Sequence, residues 1–295
     1  MEISAVDALL CPHCGLGFAA PLPEAGSLVC EGGHSFDIAR QGYLNLLTGH
    51  GTKFVPDTAA MVGARDAFLD AGHYQRLGEA LADAVKDHLC TPGDEPSLIV
   101  DAGTGTGWYL QQVLSAIGEE NTDGTVAAVG LDISKFALRR AARRNPEAVN
   151  IVWDLWRDLP LGANTADVVL VVFAPRNAGE FARILKPGGV LVVVTPLPQH
   201  LAEIARDAGM LGIQEDKESA LVHSLAAEFE PAGSRELLIP LRLTPSDVGN
   251  VALMGPAGHH LDPVELGQRL AKLPALTSAT AAFRISVFRA LSTHP

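Results

Sequence analysis

The chain is predicted to be an α/β protein, an open and mostly parallel sheet with helices on both faces, preceded by a small metal-stapled unit. Three observations predict this. From residue 98 onward, apolar β-branched runs alternate with stretches of helical periodicity. Residues 98–107, Leu-Ile-Val-Asp-Ala-Gly-Thr-Gly-Thr-Gly, carry an apolar run through a carboxylate into alternating glycines. Near the N-terminus, Cys11-Pro-His-Cys14 is followed, after fifteen intervening residues, by Cys30-Glu-Gly-Gly-His34.

The first 45 residues read as a unit of their own. C-x2-C and C-x3-H knuckles supply three thiolates and an imidazole, the closed tetrahedral set of structural zinc. Cys11, Cys14, Cys30 and His34 are therefore the expected ligands, and Gly32-Gly33 lets the second knuckle turn tightly. A redox Cys-x-x-Cys would leave Cys30 and His34 without a role. His13, between the first two ligands, reads as a bystander. Cys90 reads as a small buried apolar residue.

Residues 46–95 read as a helical connector. Pro56-Asp57-Thr58 is a start signal with Asp57 as the candidate N-cap. Met61, Ala64, Phe68 and Leu69 follow at helical spacing. Gly72-His73-Tyr74 interrupts, and Leu77, Ala80, Leu81, Ala84 and Val85 mark a second helix. Residues 91–96 form a Pro/Gly/acid linker.

Residues 96–295 alternate as an α/β domain. Strands are expected at Leu98–Asp101, Val126–Asp132, Asn150–Asp154, Asp167–Phe173 and Val190–Thr195, with helices at Trp108–Ile117, Lys135–Asn145, Gly179–Leu185 and Gln199–Ala208. The unbroken run Val168-Val169-Leu170-Val171-Val172 suits a parallel strand covered on both faces. The tail adds strands near Glu236–Leu243 and Ala282–Leu291 and helices near Pro245–Met254 and Pro263–Leu273.

The glycine loop is Asp-x-Gly-x-Gly-x-Gly, not the Gly-x-Gly-x-x-Gly of dinucleotide sites. It resembles the first motif of class I S-adenosylmethionine (SAM) methyltransferases, so SAM is the expected cofactor and a Rossmann-like sheet the expected frame. Ligands of such sheets sit beyond the strand C-termini. Asp101, with Gly103, Thr104, Gly105 and Thr106, falls there; the carboxylate either orients the loop or meets the methionine amine. Asp132, in Gly-Leu-Asp-Ile-Ser, suits two ribose hydroxyls, the competing role being a cap for the next helix. Asp154 either meets the adenine edge or stands as a solvated loop acid.

Composition narrows the class. The 295 residues suffice for about two domains. No apolar stretch reaches the ~18 residues of a membrane span, and residues 1–10 lack a basic leader, so a cytoplasmic chain is expected. A formal charge of −12 argues against a diffuse grip on nucleic acid. Any RNA contact must be local. Arg139, Arg140, Arg143 and Arg144 with Lys135 make one local basic strip, whose alternative is a solvated helix face.

The knuckles, Phe36-Asp37, Gly42-Tyr43, Asn45-Leu46-Leu47, Met61-x-x-Ala64-Arg65-x-x-Phe68-Leu69-x-x-Gly72-His73-Tyr74-x-x-Leu77, Leu131-Asp132-Ile133-Ser134-Lys135, Phe173-Ala174-Pro175, Leu185-Lys186-Pro187-Gly188-Gly189 and Thr195-Pro196-Leu197-Pro198-Gln199-His200-Leu201 together resemble the RlmA-type 23S ribosomal RNA guanine-N1 methyltransferases. The resemblance runs from about residue 11 to 205. It implies that Cys11, Cys14, Cys30 and His34 bind one structural zinc. It also implies that Tyr74, Gly105-Thr106 and His200 contact SAM. Read from the residues alone, Tyr74 is core and His200 a surface histidine.

The implied activity is transfer of the SAM methyl group to N1 of a guanine in a 23S rRNA hairpin loop, with the zinc unit as the better candidate for hairpin recognition. The chain leaves room for a homodimer. The base must be swung out of its stack to react, and Phe173 either stacks on it or is plain core. The sequence nominates no proton acceptor. Two other classes fit the same motifs: a methyltransferase of a small-molecule or protein acceptor, and a non-catalytic ribosome- or RNA-binding module with a vestigial cofactor pocket.

Overall fold

The computed structural model describes residues 3–19, 26–49, 52–89, 96–120, 126–210 and 217–291. Cys90 and linker residues 91–95 lie outside the described residues. In the N-terminal unit, α1 (Ile3–Asp7) precedes a ribbon of β1 (Ser27–Val29) and β2 (Ser35–Asp37), paired antiparallel. Next come β3 (Tyr43–Asn45), α2 (Ala59–Asp70) and α3 (Gln75–Lys86). The α/β body follows as β4 (Ser97–Ala102), α4 (Trp108–Glu120), β5 (Val126–Asp132), α5 (Lys135–Arg144), β6 (Val149–Val152), β7 (Ala166–Val172), α6 (Ala178–Ile184) and β8 (Leu185–Pro196). It closes with α7 (Ala202–Ala205), α8 (Lys217–Leu225), β9 (Phe229–Leu243), α9 (Pro245–Met254), α10 (Pro263–Leu270) and β10 (Thr277–Ala290).

The main sheet runs β3-β6-β5-β4-β7-β8-β10-β9. Strands β3 to β8 are parallel, while β10 is antiparallel to both β8 and β9. From β4 the chain steps outward through β5 and β6, then returns to β7 on the other side of β4. The loop after β4 thus opens at the switch point, where a parallel sheet parts its connections and leaves a crevice.

Burial explains the β7 run. Val169 and Val171 face a core with Phe181, Ile184 and Leu221, whereas Val168, Leu170 and Val172 face Leu81, Leu110 and Val251. Both faces of the strand are dry, so no polar position interrupts it. The first of these cores also contains Leu9, Cys11, Phe18, Leu28, Cys30 and Phe36. The ribbon is further bridged to the body by Leu9 opposite Leu161 and by Leu10 N–H donating to the Pro160 carbonyl at 3.0 Å. So short a segment cannot bury its apolar residues alone, and it completes its core on the sheet.

Several expectations change. Strand β3 forms the parallel edge of the main sheet beside β6, which the spacing of residues 43–45 did not announce. Thr58, not Asp57, caps α2, its side chain accepting from Met61 N–H at 3.3 Å; Asp57 is instead engaged by Arg65. The expected helix Gln199–Ala208 shrinks to Ala202–Ala205, because Leu201 takes a left-handed φ of 54° where its N–H is drawn to the Thr280 carbonyl of β10. Strand β6 stops at Val152, leaving Asp154 two residues beyond it.

Candidate cofactor site and zinc cluster

At the N-terminal cluster, Cys14 Sγ and Cys30 Sγ stand 3.7 Å apart, and Cys11 Sγ and Cys30 Sγ stand 3.7 and 3.5 Å from His34 Nδ1. A zinc tetrahedron with bonds of about 2.3 Å to sulfur and about 2.0 Å to nitrogen places S···S pairs about 3.8 Å and S···N pairs about 3.5 Å apart. The donor set therefore fits zinc in number, type and spacing. A Cβ on Gly32 would stand 3.0 Å from Cys14 Sγ, a tight approach, and Gly33 turns the knuckle with a left-handed φ of +83° that favours glycine. Burial pushes the Cys30 thiol up, but His34, Cys11 and Cys14 outweigh it and bring it down to about 6. The His13 ring lies outside the four-ligand set, stacked on Phe36 at 5.8 Å.

The glycine loop is fastened to β5. Gly103 and Thr104 N–H groups both donate to the Leu131 carbonyl, at 2.8 and 2.9 Å, and Gly105 N–H donates to Asp132 Oδ2 at 2.9 Å. At Gly103, φ is +88° and an added Cβ would lie 2.3 Å from Ala174 Cβ, so the loop passes against the start of the segment after β7. At Gly107, φ is +74° and a Cβ would strike Ala141 Cα at 2.9 Å, which seats α4 tightly on α5. No other residue type satisfies both the conformation and the space at either position.

The expected residues converge here. Asp101 is buried with the Thr104 hydroxyl close by, and among the described residues its two carboxylate oxygens and the buried hydroxyls of Thr104 and Thr106 make no well-aligned hydrogen bond. Four such polar atoms around one loop are the signature of a polar ligand's seat, since burying such groups unpaired costs about 1–3 kcal/mol each. Burial pushes Asp101 up to about 7, with Asp132 adding to it and the Thr104 hydroxyl opposing. Asp132 is also raised by burial, against the Ser134 and Gly105 N–H groups and Arg65. Its Oδ1 accepts from Ser134 N–H at 2.7 Å, while the helix cap itself is Ser134. The residues present fit the amine, ribose and backbone contacts that SAM requires.

Tyr74 and His200 meet as one pair. Tyr74 Oη lies 3.3 Å from His200 Nε2, and His200 Nδ1 accepts from Ala282 N–H at 3.1 Å. His200 is largely buried, which drives its pKa down to about 4. Tyr74 is raised well above the ordinary range by burial and by Tyr109. Phe283 packs edge-on against Tyr74 at 4.9 Å and lies 4.7 Å from His200 and 5.5 Å from Phe173.

Phe173 is not core. It is 46% exposed and takes a left-handed φ of 56°, a conformation that costs a β-carbon residue about 1–2 kcal/mol. Asp154 is not a solvated loop acid. It is buried, accepting from Thr52 Oγ at 2.8 Å and from Trp156 N–H at 3.1 Å.

Sequence reasoning passed over Arg65 as an independent site residue. Its guanidinium pairs with Asp57 at 2.6 Å, donates to the Met254 carbonyl at 2.8 Å, and reaches within 3.6 Å of where a Gly105 Cβ would stand. The basic strip is half neutralised: Arg140 pairs with Asp66, and Arg144 pairs with Asp66 at 2.7 Å and Asp70 at 2.9 Å. Arg139 and Arg143 remain exposed, while Ala137, Leu138, Ala141 and Ala142 point inward.

Residues 9–50 match the family described as the N-terminal zinc ribbon of RlmA, and residues 99–189 match the methyltransferase domain family. The chain is 44% identical to the 23S rRNA (guanine(748)-N(1))-methyltransferase of Streptomyces fradiae, over 99% of this chain and 100% of that one. It is also 44% identical to a Micromonospora griseorubida protein named for 23S rRNA guanine-N1 methyl transfer, over 95% and 97% of the two chains. Among solved structures, a chain of the Haloferax volcanii complex of the Trm112 methyltransferase activator with a methyltransferase superposes with a TM-score of 0.50 at 20% identity, covering 80% of this chain and 99% of that one, and so supports the fold. With a zinc ribbon, a SAM-type glycine loop and near-complete coverage of these relatives, the chain belongs to the 23S rRNA (guanine-N1)-methyltransferase family.

Proposed function

We propose that the protein transfers the methyl group of SAM to N1 of a guanine in a hairpin loop of 23S rRNA. The observation that carries this is the near-complete relationship to guanine-N1 methyltransferases, in a chain whose cofactor loop keeps Asp101, Thr104 and Thr106 without a well-aligned hydrogen bond. The relatives lend no support to a small-molecule or protein acceptor, or to a non-catalytic module.

Bound SAM supplies a sulfonium methyl that is already electrophilic, so the chain's work is alignment. In this reading Asp101 accepts from the methionine ammonium, Asp132 turns its oxygens to the ribose hydroxyls, and Gly103, Thr104, Gly105 and Thr106 present backbone and hydroxyl groups along the cofactor. Tyr74 and His200 close the far wall. Phe173, held strained and exposed beside Tyr109, offers its ring to the extruded guanine. The nitrogen gains a methyl and loses its proton, and the cofactor leaves as S-adenosylhomocysteine.

We divide the chain by role into a zinc unit that recognises the hairpin (1–45), a connector that brings Tyr74 to the cofactor (46–95) and the methyltransferase body (96–295). No helix among the described residues is long and apolar enough to cross a membrane, and work in the cytoplasm is the reading that agrees with the proposed ribosomal substrate. Assembly as a homodimer is read by light scattering. The function is tested by primer extension across 23S rRNA from a deletion strain and its complement. N1 methylation blocks pairing and stops the copying enzyme at one guanine, so the stop should vanish on deletion and return with the gene. A stop unchanged by deletion overturns the reading.

A further inference from the structure

Two aromatic rings stand out on the surface near the cofactor crevice. Phe54 is 40% exposed and Trp156 53% exposed, and their ring centroids lie 6.5 Å apart at an interplanar angle of 32°. They are far apart in sequence but follow neighbouring strands: Phe54 follows β3, the parallel edge strand, and Trp156 follows β6, the strand paired with it. One buried carboxylate holds them together. Asp154 Oδ2 accepts from Thr52 Oγ, whose oxygen in turn accepts from Phe54 N–H at 3.1 Å, and Asp154 Oδ1 accepts from Trp156 N–H. The same two loops are tied again by Arg157 donating to the Thr48 carbonyl at 3.0 Å.

Position and charge identify what such a pair receives. Leu155, next to Trp156, lies against Gly103 of the cofactor loop, and its carbonyl accepts from Asn177 of the segment that carries Phe173. The segment that carries Trp156 therefore borders the cofactor loop. Lys53 Nζ sits 5.5 Å from the Phe54 ring centroid, placing a cation on the patch in a chain of net charge −12. Two half-exposed rings, one with a cation over it, on a segment bordering the cofactor loop match an unpaired base with its phosphate. An apolar protein partner would leave the lysine without a role.

We propose that Phe54 and Trp156 form a stacking platform for an unpaired loop nucleotide of the substrate RNA, flanking the base that is methylated, with Lys53 on the adjoining phosphate and Asp154 as the positioning residue that sets the two rings. This rests on the rRNA reading above. It adds a substrate contact in the body of the enzyme, separate from the zinc unit.

The chain has three tryptophans, and Trp108 and Trp153 are buried, so iodide quenching of fluorescence reports on Trp156. A synthetic 23S rRNA hairpin with its loop should shield Trp156 from iodide, and the same stem closed as a plain duplex should not. The double variant Phe54→Ala/Trp156→Ala should raise the KM for the hairpin on the order of tenfold to a hundredfold, with kcat at saturating RNA and SAM affinity near wild type. The ring-preserving Phe54→Tyr and Trp156→Phe should stay close to wild type. A double variant with unchanged KM, or a loop that leaves Trp156 open to iodide while the wild-type enzyme methylates it, overturns the platform alone. A wild-type enzyme that methylates neither hairpin nor 23S rRNA overturns the function and the platform together.

Discussion

Tyr74 Oη and His200 Nε2 lie 3.3 Å apart although 126 positions separate them in the chain. Because His200 Nδ1 accepts from Ala282 N–H, its proton sits on Nε2 and is donated to Tyr74, leaving the phenol's own proton free to donate to a ligand. The contact joins the turn between α2 and α3 to the segment after β8, two pieces brought together by Phe283 of β10. Tyr74→Phe should therefore keep the fold, since the ring still packs against Phe68 and Phe283. It should weaken SAM binding about two- to tenfold, the worth of one hydrogen bond of about 0.5–1.5 kcal/mol. Titration calorimetry checks both the affinity and, through melting, the retained stability.

Cofactor affinity should depend on pH through Asp101. Burial holds this carboxyl at about 7, so below that pH the free site is protonated and must lose its proton to pair with an ammonium. SAM affinity should rise up to about tenfold per pH unit on approaching 7 and level off above it. In Asp101→Asn the profile should be flat. Calorimetry in buffers of different ionisation enthalpy would show the released proton.

Asp101 and His200 should also oppose each other in stability. Asp101 is raised from 3.8 to about 7, so its contribution is full below pH 3.8 and is lost as pH rises through about 7. His200 is lowered from 6.5 to about 4, so its contribution is full above pH 6.5 and is lost as pH falls through about 4. At 1.36 kcal/mol per pKa unit these are about 4 and about 3 kcal/mol of opposite slope over nearly one window. Denaturant unfolding of Asp101→Asn should therefore show stability rising from pH 4 to 6.5, and of His200→Gln, stability falling from pH 4 to 7. A steep slope in neither variant would contradict the burial argument.

Gly103→Ala should abolish SAM binding and cost about 2–5 kcal/mol. The new Cβ meets Ala174 Cβ at 2.3 Å in a left-handed backbone, so overpacking and conformational strain add. Adding Ala174→Gly removes the collision and not the strain. The double variant should recover about half of the lost stability by chemical denaturation.

Removing the metal should separate the two halves of the function. Cys30→Ser leaves three ligands, and structural zinc contributes on the order of 10 kcal/mol to the folding of so small a unit. RNA methylation should be lost while SAM still binds. The melting temperature should fall as well, because Leu28, Phe18 and Phe36 of the ribbon share a core with Phe181 and Leu161 of the body. Full methylation by the metal-free variant would remove the zinc unit from the mechanism.

What the sequence determined by itself is the part governed by local rules. Ligand type and spacing named the zinc quartet, the Asp-x-Gly-x-Gly-x-Gly loop named the cofactor seat, and two-sided apolar strands named the parallel sheet. These depend on a few neighbouring residues and on chain geometry, so they survive without coordinates. Long-range pairing decided the rest. Only the tertiary structure sets Tyr74 against His200, lays Arg65 over Gly105, spends Arg140 and Arg144 on Asp66 and Asp70, and turns Asp154 into the clasp between Phe54 and Trp156. In each case a side chain's role is fixed by a partner tens of residues away, whose arrival depends on which strands lie side by side and which helices cover them.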